Sequence, residues 1–202
     1  MLEDLGKLLQ AVQGHYDYIC GLWCGQRKTD INLKKRQVAD IIKMPEIFDQ
    51  ILSYRSLMND EMPRISFSLG EILFENSSVI CRVKTQNSIE YKLENYMKHH
   101  ENGKIPIKKY FNDLFGVRII TEETFSDTDI QKYIQENFQQ YKCIDSSKGS
   151  YVATHIYLER SNFYFPWELQ VWKKIDEPGN YRSHKQYKQE YTNWESINKG
   201  GD

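Results

Sequence analysis

Near residue 77 the hydrophobic pattern of this sequence changes its period, and that change restricts the fold more than anything in its composition. Upstream, Ile31, Val38, Ile41, Ile42, Ile47, Phe48, Ile51 and Leu52 recur close to helical spacing, which predicts helices through the first sixty residues. Asp30 is placed to cap one of them, and Met44-Pro45 marks a break with Pro45 opening a new helix. Leu69 to Phe74 reads as a further short helix. Downstream, Ser78 to Lys84 alternates as a strand, and Ser88 to Lys98 follows as an amphipathic helix. Leu114 to Ile120 is a β-rich run and Asp129 to Phe138 is helical. Tyr141 to Ile144, Tyr151 to Leu158 and Phe163 to Trp172 read as strands. A charged, Tyr-rich helix is expected from about Arg182 to Asn198. Strands that alternate with helices and then cluster predict an α+β (α/β-like) fold with a mixed sheet of about five strands flanked by helices. One domain is expected over 1–202, with a helical part over 1–76 and the chemistry-bearing motifs over 77–191.

Composition excludes several other classes. A chain of 202 residues with 40% hydrophobic and 27% charged residues is globular rather than disordered or fibrous. Charges interrupt every apolar stretch before the ~18 residues of a membrane span, so no membrane is expected. The acidic start Met1-Leu2-Glu3-Asp4-Leu5 lacks a secretory apolar core, which gives a cytoplasmic default. The formal net charge of −1 hides an uneven distribution. Arg27 to Lys43 holds six basic and two acidic residues, and Arg82 to Arg118 holds eight basic and four acidic ones. Cys20 and Cys24 have metal-like spacing, but no second Cys or His pair follows at a zinc-finger offset. His99 and His100 fall on different faces of a helix end.

Several residues stand out against this background. Arg82 and Lys84 leave a strand, and Lys92 lies two helical turns beyond Lys84 on the next element, a fan that can hold a polyphosphate or simply be solvated. In Asp113-Leu114-Phe115-Gly116-Val117-Arg118-Ile119-Ile120 an acid precedes a buried strand, and an arginine sits inside an apolar run. Such an arginine needs an anion, a carboxylate or an aromatic face, and an Asp113–Arg118 structural pair is the plain alternative. Glu168 and Gln170 alternate with Leu169 and Val171, so both project from one face. Asp113 and Glu168 on neighbouring strands would form a carboxylate pair for Mg²⁺. Tyr151 and His155, four apart on one expected strand, share a face, with Lys148-Gly149-Ser150 as a cationic loop ahead of them.

In combination these fragments resemble the RelA/SpoT family, the ATP-dependent nucleotide pyrophosphokinases that make (p)ppGpp. The resemblance spans about Ser78 to Tyr191. It rests on Arg82-x-Lys84-x-x-x-Ser88-Ile89-x-x-Lys92, Asn112 to Arg118, Gly149-x-Tyr151-x-x-x-His155 and Glu168-Leu169-Gln170. It implies a nucleotidyltransferase-like synthetase domain of the small, single-domain alarmone synthetase type, an enzyme of the GTP pyrophosphokinase kind. The implied roles are adenine stacking by Arg82 and Arg118, triphosphate contacts by Lys84, Ser88 and Lys92, and Mg²⁺ binding by Asp113 and Glu168. Glu168 is also the implied base, Tyr151 the stacking ring for the acceptor, and Lys148, His155 and Gln170 further acceptor contacts. Val152 stands where many members have an arginine. Ser183-His184-Lys185 partly matches a later segment of the family without its usual preceding acid.

The resemblance leaves the acceptor open. GDP or GTP is the first expectation. The 3′-terminal adenosine of tRNA is the alternative, as in the toxic subgroup whose members pair with an antitoxin, and Arg27, Lys28, Lys34, Lys35 and Arg36 would then contact the RNA backbone. A solvated basic helix face is the plain reading of that cluster. An inactive nucleotide- or RNA-binding module is the remaining alternative. A monomer or weak dimer is expected.

Overall fold

The computed structural model describes residues 2–72, 76–99, 101–122 and 125–185. Its strands are Ser77–Val83 (β1), Phe115–Thr121 (β2), Lys142–Asp145 (β3), Thr154–Leu158 (β4) and Trp167–Lys173 (β5). They form one sheet in the order β1-β2-β5-β4-β3. Only the central β2–β5 pair is parallel, and the β1–β2, β4–β5 and β3–β4 pairs are antiparallel. The fold is therefore α+β with a mixed five-stranded sheet flanked by helices.

Register decides which side chains meet, because alternate residues of a strand point to opposite faces. Val79, Cys81, Val83, Val117, Ile119, Leu169, Val171, Ile156 and Leu158 fall on one face and join the main hydrophobic core. Three helices supply much of the rest of that core. Leu2–Gln26 (α1) buries Leu5, Leu8, Leu9, Val12, Tyr16, Ile19 and Trp23, the three- and four-residue spacing of one helical stripe. Pro45–Gly70 (α3, after the short Asp40–Lys43, α2) buries Ile47, Ile51, Tyr54, Leu57, Met58, Ile65 and Leu69. Asp127–Asn137 adds Ile130 and Ile134 and starts with a capping box in which Ser126 and Asp129 satisfy each other's backbone. Aromatic rings lock the layers together. Phe115 and Trp167 approach to 4.3 Å, Tyr16 packs on Trp167 at 5.3 Å, and the Trp167 indole N–H donates to the Tyr54 hydroxyl at 2.8 Å. At Gly6 the N-terminal helix comes so close to the Tyr133 hydroxyl that any β-carbon would collide with it.

Several expected elements take other forms. Ile31 to Ile42 is not one helix: its backbone donors reach distant carbonyls, with Leu33 N bonded to Asn162 O at 2.8 Å and Val38 N to Ile105 O at 2.9 Å. Ile107 N and Lys108 N return bonds to Arg36 O and Leu33 O, so the segment is a turn strapped to 105–108. Asp30 caps nothing there and pairs with Arg27 at 2.8 Å. Pro45 does open a helix, and Leu69 belongs to the last turn of that helix rather than to a new one. Leu73 and Phe74 lie outside the described residues. The strand expected from Tyr151 begins at Thr154, and that expected from Phe163 begins at Trp167, just after Pro166, which has no N–H for a ladder. The C-terminal helix starts earlier than expected, with helical backbone over 177–185. The rest of the stretch expected to be helical, to Asn198, lies outside the described residues, as does His100. Among the described residues no helix is long and apolar enough to cross a membrane.

Candidate active site

The second face of the sheet carries Ile80 and Arg82 from β1, Gly116, Arg118 and Ile120 from β2, and Glu168, Gln170 and Trp172 from β5. His155 and Tyr157 of β4 and Lys142 and Ile144 of β3 complete it. Polar groups that would be costly inside the core are thus collected on one surface. A cleft of about 360 Å³ opens on it, lined by Arg82, Lys84, Ser88, Lys92, Asp113, Tyr151, His155, Glu168, Gln170, Ser183 and His184. Beside it a smaller cavity of about 130 Å³ is bounded by Ile80, Arg82, Gly116, Arg118, Glu168 and Gln170. Arg82 and Glu168 flank Gly116 in register, so the absence of a side chain there leaves the floor between them bare.

Asp113 sits two residues before β2 rather than on it, and two lysines hold it. Lys84 Nζ reaches one carboxylate oxygen at 2.5 Å and Lys92 Nζ the other at 3.2 Å. Lys84 follows β1 directly. Lys92 comes from the Gln86–His99 helix (α4), where its ammonium also donates to Tyr110 O at 2.7 Å. Burial pushes the Asp113 carboxyl upward, but the charges of Lys84 and Lys92 overcome it and hold the group well below the usual carboxylate range. Burial lowers the Lys84 ammonium against the pull of Asp113. The Asp113–Arg118 pair considered from sequence is not the arrangement. Arg118 instead lies over Trp172 at 3.6 Å, and its guanidinium donates to Gln170 Oε1 at 3.1 Å.

Glu168 is buried and hydrogen-bonded through both oxygens, with one lone pair of Oε2 beyond these contacts. Its Oε1 accepts from the Tyr157 hydroxyl at 3.0 Å and lies 3.0 Å from His155 Nδ1, while Oε2 accepts from Gln170 Nε2 at 2.7 Å. Burial raises its pKa and the hydrogen bond and charge of His155 lower it, with a net result below the usual value. Asp113 pushes against that ionisation, so the two carboxylates sense each other across the cleft. Tyr151 is not on β4. It closes a turn in which Lys148 and Tyr151 bond each other's backbone at 2.8 and 3.1 Å, with Gly149 at φ +61°. Its hydroxyl nevertheless meets His155 Nε2 at 2.8 Å. Burial pushes that phenol up to about 12.

The cleft therefore brings together Arg82, Lys84, Ser88, Lys92, Asp113, Tyr151, His155, Glu168 and Gln170, with Arg118 in the adjoining cavity. Lys148 is exposed and does not line either. Of the proposed RNA contacts, Arg27 is tied up by Asp30, by the Phe163 carbonyl at 3.3 Å and by the Tyr164 ring at 5.1 Å. Lys28, Lys34, Lys35 and Arg36 are exposed outside the cleft, the last three on a turn rather than on a helix face. Tyr157 and Trp172 are the residues of this face that the sequence reading gave no role, and His184 entered it only through the partial match of Ser183-His184-Lys185. The first two were available from parity, two residues from His155 and from Gln170. His184 stacks on Trp172 at 5.6 Å and approaches Arg118 at 3.3 Å, contacts that no local pattern announces.

The donor set bears on a metal. Among the described residues no three His, Cys, Asp or Glu groups are placed to hold an ion. Two oxygen-donor carboxylates that repel each other suit Mg²⁺, which binds through one or two carboxylates and completes its shell with water and substrate phosphate. Each Asp113 oxygen keeps a lone pair beyond its lysine contact.

No family model matches the chain, and no curated protein matches it. Among solved structures it is similar to small alarmone synthetase 1 from Bacillus subtilis, at 17% identity and a TM-score of 0.40 over 74% of this chain and 81% of that chain. It is also similar to small alarmone synthetase 2 from Bacillus subtilis, at 17% identity and a TM-score of 0.39 over 70% of this chain and 79% of that chain.

Proposed function

We propose that this chain is a RelA/SpoT-type pyrophosphokinase that transfers the β,γ-pyrophosphate of ATP to the 3′-hydroxyl of a ribonucleotide, releasing AMP. The observation that supports the reading is a cleft with its adjoining cavity, where Asp113 and Glu168 lie among four cations, Arg82, Lys84 and Lys92 in the cleft and Arg118 in the cavity. Their formal surplus of two positive charges suits a polyanion such as a nucleoside triphosphate held with its metal.

The residues divide by position. Arg82 and Arg118 border the smaller cavity, and a purine ring there would stack against their guanidinium groups. Arg118 already packs on Trp172 at 3.6 Å and has the Tyr181 ring 5.8 Å away, and the base would stack on the side of the guanidinium that borders the cavity. Lys84 and Lys92 lie on Asp113 and would exchange part of that contact for triphosphate oxygens, with Ser88 in the first turns of α4 alongside. Mg²⁺ held by Asp113 and Glu168 would neutralise charge on the phosphates. On the other side, Tyr151, His155 and Gln170 line the space for the acceptor. The acceptor's 3′-oxygen forms a bond to the β-phosphorus while the bond from that phosphorus to the α,β-bridging oxygen breaks. AMP leaves, and the hydroxyl proton passes to Glu168. Tyr157, His155 and Gln170 fix the orientation of that carboxylate, so little reorganisation is needed during the reaction.

GDP and GTP are the free-nucleotide acceptors this reading names first. Incubation with labelled ATP and each nucleotide should yield AMP together with a product carrying two added phosphates. ATP turnover that gives ADP and phosphate instead would overturn the assignment.

A further inference from the structure

The two edges of the sheet are built differently. Among the described residues β1 and β3 are its outer strands. β3 is four residues long and has exposed Lys142 and Asp145 at its ends, a shortness and charge that keep an edge from pairing. β1 runs for seven residues, Ser77–Val83, with no acid, no proline and a single cation, Arg82. Ile80 at its centre is 40% exposed, and Val79, Cys81 and Val83 are only half-buried although they point to the core face.

The ladder to β2 shows which backbone groups β1 leaves over. Lys84 N donates to Leu114 O at 2.9 Å, and Glu122 N to Asn76 O at 3.3 Å. In the β1–β2 register the even-numbered residues therefore direct their N–H and C=O groups at β2, while Val79, Cys81 and Val83 direct theirs outward. Among the described residues no backbone group meets those three. A row of this kind is a template for a further strand.

A second copy of β1 satisfies it. A two-fold axis normal to the sheet runs the two copies antiparallel and keeps their polar faces on one side. With the axis at Ile80, Val79 meets Cys81 of the partner subunit and Cys81 meets the partner's Val79, each pair exchanging both backbone bonds. Ile80 then faces the partner's Ile80, which covers the exposed apolar side chain. Arg82 faces the partner's Ser78, a neutral group. Centring on Arg82 would instead oppose the two arginines, and centring on Cys81 would bring them closer. Centring on Val79 would leave part of the strand overhanging.

We propose that two copies of this chain join antiparallel along β1, about a two-fold axis at Ile80, into one continuous sheet. Ile80 and Arg82 both border the smaller cavity, so the two cavities adjoin across the axis, with the partner's Ser78 beside Arg82. The inference is independent of the pyrophosphate-transfer reading. An interface of one strand edge makes a weak dimer rather than an obligate one.

Sedimentation velocity of the full chain over a broad concentration series tests it, and the parent should pass from monomer to dimer. Val79→Pro removes an outward donor and none of those bonded to β2, and should weaken association by at least about tenfold. Ile80→Lys sets two ammonium groups face to face at an exposed position and should weaken it at least several-fold, which guards against a folding defect in the proline variant. Lys142→Glu, at the opposite edge, should leave it unchanged. Mild oxidation reads the register. Ile80→Cys should form a covalent dimer beyond the level of the parent, because facing residues of a non-hydrogen-bonded pair lie about 4.5 Å apart at Cα, within disulfide reach. Ser78→Cys, which faces Arg82 of the partner subunit, should not. The proposal is overturned if the parent stays monomeric at every concentration, or if both β1 variants associate like the parent. It is equally overturned if Ser78→Cys links as readily as Ile80→Cys.

Discussion

One face of the sheet presents Val79, Val117, Leu169 and Ile156 to α1, α3 and the 127–137 helix. The other presents Arg82, Arg118, Glu168 and His155 to an open cleft. The same strands build both, and a shift of one residue separates a side chain that stabilises from one that acts. On the apolar face each buried side chain contributes roughly 1.5–3 kcal/mol and tolerates neighbours of similar volume. On the polar face Glu168, His155, Gln170, Tyr151 and Tyr157 are satisfied largely by one another and Asp113 by Lys84 and Lys92, so deleting a side chain there leaves a partner stranded.

This contrast can be broken most severely at Glu168. Glu168→Gln keeps shape and most hydrogen bonds but removes the charge. Pyrophosphate transfer should fall by about 10³-fold or more, with a circular dichroism spectrum and melting curve close to those of the parent. Near-normal turnover would remove Glu168 from the chemistry. Asp113→Asn should behave differently. It should also lose activity, but it strands Lys84 and Lys92 and so should cost about 3 kcal/mol in urea unfolding.

The opposite face gives the mirror-image result. Trp167→Ala empties the centre of the Tyr16, Tyr54 and Phe115 cluster and should cost about 3–5 kcal/mol. Whatever protein remains folded at low temperature should retain a Michaelis constant for ATP near the parental value. A specific loss of ATP binding without loss of stability would show that the two faces are not independent.

Tyr151→Ala sharpens the division within the polar face. Base stacking on an aromatic ring is worth about 1–3 kcal/mol. The variant should therefore lose that much acceptor affinity while ATP binding stays near the parental value. Equal losses for both substrates would place the ring elsewhere.

The smallest effect concerns His184. Burial, with the charges of Arg118 and Arg82, pushes its pKa from 6.5 down to about 4. The unfolded chain then binds a proton that the folded chain refuses. This group's contribution to stability is full above pH 6.5 and is lost as pH falls through that window toward 4. Unfolding midpoints measured between pH 7 and 4 should fall less steeply in His184→Gln than in the parent. Parallel curves would mean that the imidazole is not held neutral.

Much of the polar face was legible because it depends on period. Glu168 and Gln170 announced themselves by alternating with Leu169 and Val171, and Arg118 by interrupting an apolar run. Where periodicity misled, backbone donors had been claimed by remote segments. Val38 satisfies helical spacing yet its N–H bonds Ile105 O, as that of nearby Leu33 bonds Asn162 O, and no local pattern encodes such a choice. Asp113 and Tyr151 were expected on strands. Both sit in the irregular stretch just ahead of one, where the chain can turn a side chain toward the cleft without ladder constraints. Arg27 seemed free because its aromatic partners, Phe163 and Tyr164, are more than 130 residues away in sequence.

The strand order carries a consequence for how this protein comes into being. Among the described residues β5 is the last strand made, and it occupies the middle of the sheet. During synthesis the β1–β2 and β3–β4 pairs can each form as they emerge, but nothing joins them until Trp167–Lys173 has left the ribosome. Glu168 arrives on that closing strand. On the proposed reading, nascent chains would therefore carry the cations for a triphosphate well before they carry the base, and a growing polypeptide would spend no ATP on transfer before its sheet is complete.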